Sequence, residues 1–217
     1  MEEVTFAVSG QHYLFNVQAF AHTILNTGGE SYKYALRDRT TLGVIDDIAE
    51  RRSEVGVLMT STKTNDELVK VFSNAGLAFT KLAESKPCVA LPASHPLSNA
   101  KSLTIADLEE WPYLKFEQRP GTPEDYAEEA LDYIPRSKTI LCNDRASLSE
   151  LAVAINGYTV TSGILVGITD GGSLTTVPLE TDVKLNMGYL SRDGEELSDM
   201  GKLFVSKLAS ALERYAI

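Results

Sequence analysis

Strand-like and helix-like segments alternate along the first part of the chain, and this order limits the possible folds more than any other feature. Residues 4–8 and 32–36 are predicted to be strands, and the stretch His12–Asn26 between them places its apolar residues mostly on one helical face. A second helix, capped by Thr40 or Thr41, leads to a third predicted strand at Val55–Met59. Such an alternation predicts parallel strands covered by helices.

The stretch Leu77–Leu91 interrupts this alternation. Its pattern is extended, it is broken only at Lys86-Pro87, and it contains no predicted helix. A chain that runs from one lobe to another has this pattern. Residues 183–190 are extended as well and could carry the chain back to the first lobe. We therefore predict two crossovers between two α/β lobes.

These crossovers set the predicted domain organisation. Subdomain I comprises residues 1–85 and 187–217, and its last helix is capped by Ser198. Subdomain II comprises residues 86–186. Small ligands usually bind in clefts between α/β lobes, where strands end and helices begin. The pattern alone therefore predicts a binding cleft but no particular ligand.

The predicted second lobe has its own alternating elements. Tyr113–Phe116 and Thr139–Cys142 are predicted strands, and a helix covering residues 146–155 follows the second of them. The run Thr122–Asp125 combines a capping hydroxyl, a proline and early acidic residues, which is typical of a helix start. We therefore expect a further helix from this point.

Charge and composition exclude several functions. The chain has 30 acidic against 20 basic residues, a net charge of −10, and an acidic surface repels a phosphate backbone. Leu151–Ile155 is the longest unbroken apolar run, far below the roughly 20 residues that cross a bilayer. The first residues, Met1–Glu3, are acidic where a secretory signal is basic. We expect a cytoplasmic chain that binds neither nucleic acid nor membrane by itself.

Motifs for catalysis, metals and nucleotides are missing from the sequence. There is no zinc-type Cys/His spacing and no HExxH, Walker, GxGxxG or GxSxG motif. His22 and His95 are assigned structural roles, and the acidic pairs Asp46-Asp47 and Glu128-Glu129 are assigned to solvent-exposed helix faces. We therefore predict no catalysis, no cofactor and no metal.

Several segments in order carry a resemblance to a known family. Val89–Leu97, Leu103–Leu108 and Trp111–Leu114 together resemble the middle of the effector-binding domain of LysR-type transcriptional regulators. Residues 48–58 resemble that family's helix-to-strand segment before the crossover, and residues 147–157 resemble its helix that ends in a glycine turn. Each motif is short, but their order and spacing cover essentially the whole chain.

The resemblance implies an architecture and a role. LysR-type effector domains have the type 2 periplasmic-binding-protein fold, with two subdomains and a small-molecule effector in the cleft between them. They follow a winged helix-turn-helix and a linker helix, and they form homodimers, side by side and antiparallel, and often tetramers. Met1 falls where such an effector domain begins, so the chain is expected to be the ligand-sensing part of a DNA-binding regulator.

The resemblance also implies effector contacts, by matching positions in the turn after the first strand, at the start of the second helix and on the far side of the cleft. These positions are Ser9, Gly10, His12, Thr40, Thr41, Phe116, Gln118, Asn143 and Ser162. Hydroxyls at helix starts fit helix capping equally well. The sequence departs from the family at Ser162, where proline is common, and Glu117 and Asp144 add negative charge that leaves room for a neutral or cationic effector.

Two other classes remain open at this point. A free-standing solute-binding protein of the same fold could serve a transporter, and a signal peptide or lipobox would favour it. An enzyme on this fold would need a clustered acid/base pair or a cofactor lysine in the cleft.

Overall fold

The computed structural model describes residues 5–27, 29–164 and 173–215. The helices are α1 (Leu14–Thr27), α2 (Thr41–Ala49), α3 (Asn65–Asn74), α4 (Arg145–Ile155) and α5 (Asp199–Tyr215). The strands are β1 (Phe6–Gly10), β2 (Tyr34–Asp38), β3 (Val55–Ser61), β4 (Leu77–Ser85), β5 (Cys88–Pro92), β6 (Tyr113–Phe116), β7 (Thr139–Cys142), β8 (Thr159–Thr161), β9 (Leu174–Pro178) and β10 (Leu185–Arg192).

Five strands form a large sheet in the order β2-β1-β3-β10-β4. The pairs β1–β2 and β1–β3 are parallel, as the alternating sequence predicts. β10 is antiparallel to both β3 and β4, because it enters the sheet from the opposite end. Gly188 in β10 lies where the β4 register shifts, and an added Cβ would come within 2.1 Å of the Thr80 carbonyl oxygen, so this close approach requires glycine.

Helices cover both faces of the large sheet. Successive side chains of a strand point to opposite faces, so Val57 and Met59 of β3 join one apolar cluster while Leu58 joins another. The first cluster packs against α1 and α5 and includes Phe204, which is fully buried. The second packs against α2 and α3 and includes Ile48. The large sheet is therefore the middle layer of three.

The chain leaves the large sheet after Ser85 and enters β5 at Cys88. β5 pairs antiparallel with β8 on one side and β9 on the other, while β6 and β7 form a parallel pair. The chain returns from Pro178 to the large sheet at Leu185. The first connection lies within the stretch predicted as a crossover, whereas most of residues 183–190, predicted as the return crossover, belong to β10 of the large sheet. We refer to the part from β5 to β9 as the β5–β9 region.

The helix predicted from Thr122 is wrong. Only one turn of 3-10 helix forms, at Glu124–Tyr126, and Ala127 is already extended, with φ −60° and ψ 151°. Tertiary contacts replace helical hydrogen bonds here, because Tyr126 packs into the α2–α3 cluster and its hydroxyl donates to Glu67 at 3.0 Å. The local start signal was present, but the side chains that follow are held by another part of the molecule.

Two elements were not predicted. α3 is short and its first turn is acidic, and only Leu68 and Phe72 are buried, so its apolar stripe is narrow. β9 is a five-residue strand that ends in Pro178 and lies at a sheet edge. Within the part of the chain that the structure describes, no helix is both long and apolar enough to cross a bilayer.

Candidate functional site

A cavity opens where the loop after β1 faces the β5–β9 region. The cavity has a volume of about 80 Å³, or about 610 Å³ when the open space around its mouth is included. Apolar side chains from α4, β8 and β9 and the segments beside them line most of the wall, including Leu148, Val160, Ile164 and Leu174. Mostly apolar walls with a few polar groups are typical of small-molecule sites.

An internal carboxylate closes one side of this cavity. Glu128 accepts hydrogen bonds from the backbone N–H of His12 at 2.9 Å and from its Nδ1 at 2.5 Å. Both side chains are buried, at 7% and 4% exposure. Burial lowers the pKa of His12, but the hydrogen bond and the charge of Glu128 outweigh burial, so the pKa lies above its ordinary value. The pair joins the large sheet to the β5–β9 region.

The His12 ring is also held from its face. It stacks on Phe116 with ring centroids 3.8 Å apart and an angle of 8° between the planes. Arg145, the first residue of α4, reaches the His12 carbonyl oxygen with its Nη1 at 3.4 Å. The imidazole therefore has a fixed orientation at the cavity wall.

Glu129 is the second acid in the wall. Glu129 is only 3% exposed, and its Oε1 accepts a hydrogen bond from the Phe116 backbone N–H at 2.7 Å. Oε2 is buried and has no hydrogen-bond partner among the described residues. Burial raises the pKa of Glu129 well above its usual value, and the neighbouring charge of Glu128 adds to this effect.

The prediction that Glu128 and Glu129 face solvent on a helix is therefore wrong. The helix is missing, and the donors of His12 and Phe116 hold both acids inside the molecule. Asp47 was likewise predicted to be exposed, but it is only 1% exposed. It accepts from Ser9 at 2.6 Å and from two arginines, and although burial raises its pKa, these hydrogen bonds and charges lower it overall.

Two of the predicted effector contacts, His12 and Phe116, line the cavity. Thr41 lies elsewhere in the junction, where its hydroxyl donates to the Tyr126 carbonyl oxygen and accepts from Gln11 Nε2 at 2.7 Å. Both contacts of Thr41 bury its side chain, which is 1% exposed. Three predicted positions therefore lie where the large sheet meets the β5–β9 region. His12 and Phe116 line the cavity there, and Thr41 forms hydrogen bonds outside the cavity.

Three predicted positions of the first part of the chain serve the local fold. The Ser9 hydroxyl is fully buried against Asp47. Thr40 caps α2 and accepts from the Gly43 backbone N–H at 3.3 Å. An added Cβ at Gly10 would come within 2.2 Å of Asn16 Nδ2, so glycine lets α1 approach the end of β1.

The remaining predicted positions belong to the β5–β9 region. Gln118 Nε2 donates to the Phe116 carbonyl oxygen at 3.3 Å, and Ser162 is buried and accepts from the Ile164 backbone N–H at 3.3 Å. Asn143 is exposed. Asp144 caps α4 through the Ser147 backbone N–H at 2.8 Å.

Sequence reasoning missed Glu128, Glu129, Arg145 and Ser149 among the lining residues. Arg145 and Ser149 lie in the first turns of α4, and the sequence predicted that this helix starts near the cleft. Their position could therefore have indicated that they line it. No local signal marks a buried acid, because its burial depends on donors more than 100 residues away, as in the His12–Glu128 pair.

A smaller cavity of about 20 Å³, or about 370 Å³ with the open space around it included, lies behind the segment 127–133, near the end of β3. Asp132 in this segment pairs with Lys115, and Lys63 lies 3.1 Å from the centroid of the Tyr133 ring. Among the residues that the structure describes, no group of three or more His, Cys, Asp and Glu side chains could hold a metal ion. The segment 127–133 lies between the two cavities, since Glu128 and Glu129 line both of them.

A family model described as LysR substrate binding domain matches residues 33–213 of the 217. The chain belongs to this family. The family resemblance seen in the sequence is confirmed, and this LysR substrate-binding domain is a ligand-sensing regulatory domain by family. No curated protein matches its sequence.

Solved structures share the fold of this domain. The effector binding domain of QuiR in complex with shikimate is 12% identical, with a TM-score of 0.61, over 98% of this chain and 98% of that one. The reduced form of the OxyR regulatory domain from Pseudomonas aeruginosa is 12% identical, with a TM-score of 0.66, over 95% of each chain. HinK, a LysR family transcriptional regulator from the same organism, is 12% identical, with a TM-score of 0.62, over 97% of this chain and 71% of that one.

These similarities are similarities of fold. Together with the family match they confirm the predicted α/β fold of the periplasmic-binding-protein type, with two subdomains joined by extended crossovers. The family and these neighbours are regulatory effector-binding domains rather than enzymes, and no comparison supports a solute-binding protein that serves a transporter.

Proposed function

We propose that this LysR substrate-binding domain binds a small-molecule effector in the cavity lined by His12, Phe116 and Glu129. The observation that carries the proposal is the composition of this cavity at the junction: an apolar wall with a few polar groups, of which Glu129 Oε2 has no partner among the described residues. Such a wall holds an apolar body and orients one polar group. The QuiR effector-binding domain, a neighbour in fold, is in complex with the small molecule shikimate.

We further propose that the effector acts by shifting the balance between two arrangements of subdomains I (1–85 and 187–217) and II (86–186). The side-chain contacts that would have to change cross the junction, among them the pair of His12 with Glu128 and the bond of Thr41 to Tyr126. A ligand that binds one arrangement better shifts the population toward it. A winged helix-turn-helix outside these residues would read that shift as a change in DNA binding.

Three further properties belong to the same proposal. The domain performs no catalysis and binds no nucleic acid by itself, because the described cavity wall uses its one imidazole to hold Glu128 and the chain has a net charge of −10. It works in the cytoplasm, where a bacterial regulator meets DNA. It pairs as a homodimer, as the family resemblance implies, and the full-length regulator forms dimers or tetramers.

Thermal unfolding with a panel of metabolites tests the cavity as the effector site. Ser149 on α4 lines the cavity, whereas Val153 on the same helix is 43% exposed and does not. Ser149→Phe should fill the space, and Val153→Phe is the matched control. A metabolite that raises the melting temperature of the wild type and of Val153→Phe, but not of Ser149→Phe, supports the proposal. An equal response of all three proteins to every active metabolite contradicts it.

A further inference from the structure

Arg145 is the first residue of α4 and lies on the wall of the cavity. Its Nη1 makes one long contact, 3.4 Å from the His12 carbonyl oxygen. Its Nε and Nη2 have no hydrogen-bond partner among the described residues and, unlike Glu129 Oε2, neither nitrogen is enclosed. Arg145 therefore keeps donors that a ligand can reach.

Most of the arginines that the structure describes already have an acidic partner. Those that pair with Asp or Glu side chains are Arg39, Arg51, Arg52, Arg119 and Arg192. Arg145 has no such pair among the described residues, although the planar guanidinium is well shaped to hold a carboxylate through two parallel N–H bonds. Its place at the start of a helix is also unfavourable for a cation, because this end carries a partial positive charge. A bound anion would relieve both deficits.

The acids of the cavity wall do not oppose an anion. Glu128 already accepts two hydrogen bonds from His12, and burial together with the charge of Glu128 raises the pKa of Glu129, which favours its neutral, protonated form. Glu117 and Asp144, which the sequence predicted to make the cleft negative, are not among the described lining residues. Arg145 is thus the charged group of the described wall that lacks a charged partner.

The surroundings of Arg145 suit a small, mainly apolar molecule. Ser149 lies one turn further along α4 on the same face, and it lines the cavity with two threonines of β8. The hydroxyls without a hydrogen-bond partner among the described residues are those of Ser149, Thr159 and Thr161. Apolar side chains of α4, β8 and β9 form much of the remaining wall and would exclude water from a hydrocarbon body.

We propose that the effector is a small molecule with a carboxylate on an apolar body, and that Arg145 binds this carboxylate with Ser149 donating beside it. The inference rests on the proposed function, since it names the class of effector for the same cavity. Thr41 takes no part, because its hydroxyl is engaged by Gln11 and Tyr126.

The same arginine links the ligand to the junction. Arg145 belongs to the β5–β9 region, whereas the His12 carbonyl oxygen that it contacts lies just after β1. A carboxylate that draws the guanidinium toward itself changes a contact between the two halves of the molecule. Binding of the carboxylate would therefore act directly on the balance between the two arrangements.

Three probes of nearly equal size and different charge test this assignment: benzoate, benzamide and benzylamine. Calorimetry on the wild-type domain should show benzoate binding at least about tenfold more tightly than the other two, because hydrogen bonds between charged groups are the stronger ones. Benzamide or benzylamine binding as tightly as benzoate, or no binding of benzoate, would overturn the carboxylate assignment.

The variant Arg145→Gln removes the charge and the fork of donors. It should weaken benzoate binding by about tenfold or more and leave benzamide binding nearly unchanged. Lys70→Gln is the matched control, because Lys70 is an exposed cation on α3 that does not line the cavity, and this variant should bind benzoate like the wild type. Unchanged benzoate affinity in Arg145→Gln, or an equal loss in Lys70→Gln, would overturn the role of Arg145.

Stability and a second comparison keep these outcomes distinct. Without ligand, Arg145→Gln should melt at or slightly above the wild-type temperature, since it removes a cation from a helix start. The wild-type comparison of the three probes decides the class of effector even if this variant does not fold. The Ser149→Phe comparison decides separately whether the cavity binds an effector of another class.

Discussion

The carboxylate of Glu128 accepts hydrogen bonds from both the backbone N–H and Nδ1 of His12, although the two residues are 116 positions apart. His12 follows a strand of the large sheet, and Glu128 belongs to the β5–β9 region. Tyr13 adds a third link, since its hydroxyl donates to the Glu128 carbonyl oxygen at 3.0 Å. One buried acid therefore connects the two halves of the molecule at the edge of the proposed effector site.

Removing either member of this pair should destabilise the domain. Glu128→Gln or His12→Ala leaves a buried polar partner uncompensated, which typically costs about 3 kcal/mol in the free energy of unfolding. The double variant should lose clearly less than the sum of the two single losses, because the partners interact directly. Urea unfolding of the four proteins measures this coupling.

An exposed ion pair provides the control for that cycle. Lys81 and Glu84 pair at 2.8 Å on β4, where both side chains are at least 40% exposed, and water and salt screen such pairs. Lys81→Ala should therefore leave the free energy of unfolding close to that of the wild type. Additive losses at His12 and Glu128 would mean that their contact does not stabilise the junction.

Stability should depend on pH through Glu129. Burial and the charge of Glu128 raise the pKa of Glu129 in the folded state, so the folded protein holds this proton more tightly than the unfolded chain. The stability from this proton is fully present below the unfolded pKa and is lost as the pH rises through the folded pKa. The wild type should lose up to about 1.4 kcal/mol per pH unit in that window.

Glu129→Gln has no proton to lose at this position, so its free energy of unfolding should fall less between about pH 5 and about pH 8. The pKa of His12 is also raised, so both proteins lose stability at this residue as the pH rises above its unfolded pKa. This loss is nearly the same in the two proteins and largely cancels when their free energies of unfolding are compared. Urea midpoints of the two proteins across this range check the prediction. Parallel curves would show that Glu129 does not titrate differently on folding.

The variant Ser9→Ala should change the stability of the domain without changing its affinity for a ligand. The Ser9 hydroxyl donates to Asp47 at 2.6 Å and lies 2.8 Å from the Ser53 hydroxyl, and it does not reach the cavity wall. Ser9→Ala should lower the free energy of unfolding by about 1–3 kcal/mol, because a buried acceptor loses its donor. The affinity for a cavity ligand should stay the same. Calorimetry and thermal unfolding of the same variant measure both quantities, and a clear loss of affinity would place Ser9 in the site.

Much of the fold follows from the local sequence pattern. β6 and β7 have the predicted bounds, Tyr113–Phe116 and Thr139–Cys142, because their short apolar runs lie between clear turn residues. The extended stretch with a break at Lys86-Pro87 is β4 followed by β5. Strands and helices near both ends were predicted with bounds that differ by about two residues, which is common where elements fray.

The site was harder to predict than the fold. A helix-start pattern at Thr122–Asp125 gave one turn only, since Tyr126 and Glu128 are bound by distant residues. The same distant contacts bury Glu128 and Glu129, whose sequence context resembles that of surface acids. Positions at strand ends were predictable because the fold fixes them, and His12 and Phe116 do line the cavity.

Self-association should be visible at micromolar concentrations. Leu141 of β7 is 54% exposed and Leu151 of α4 is 38% exposed. A stable homodimer would bury about 800 Å² per partner. Light scattering should give twice the monomer mass of 23.7 kDa, and Leu141→Lys should shift the equilibrium toward monomer. A wild-type domain that remains monomeric at high concentration would contradict the proposed dimer.

The crystal structure of the domain with a metabolite that stabilises it tests the central proposal most directly. We expect the ligand between the His12–Phe116 stack and α4, in contact with Glu129 and Ser149. A groove between α1 and α5, lined by residues such as His22 and Lys207, is the internal comparison. We expect ligand density in the cavity, with a polar group of the ligand at Arg145 or Glu129. Density in the α1–α5 groove with an empty cavity would contradict it.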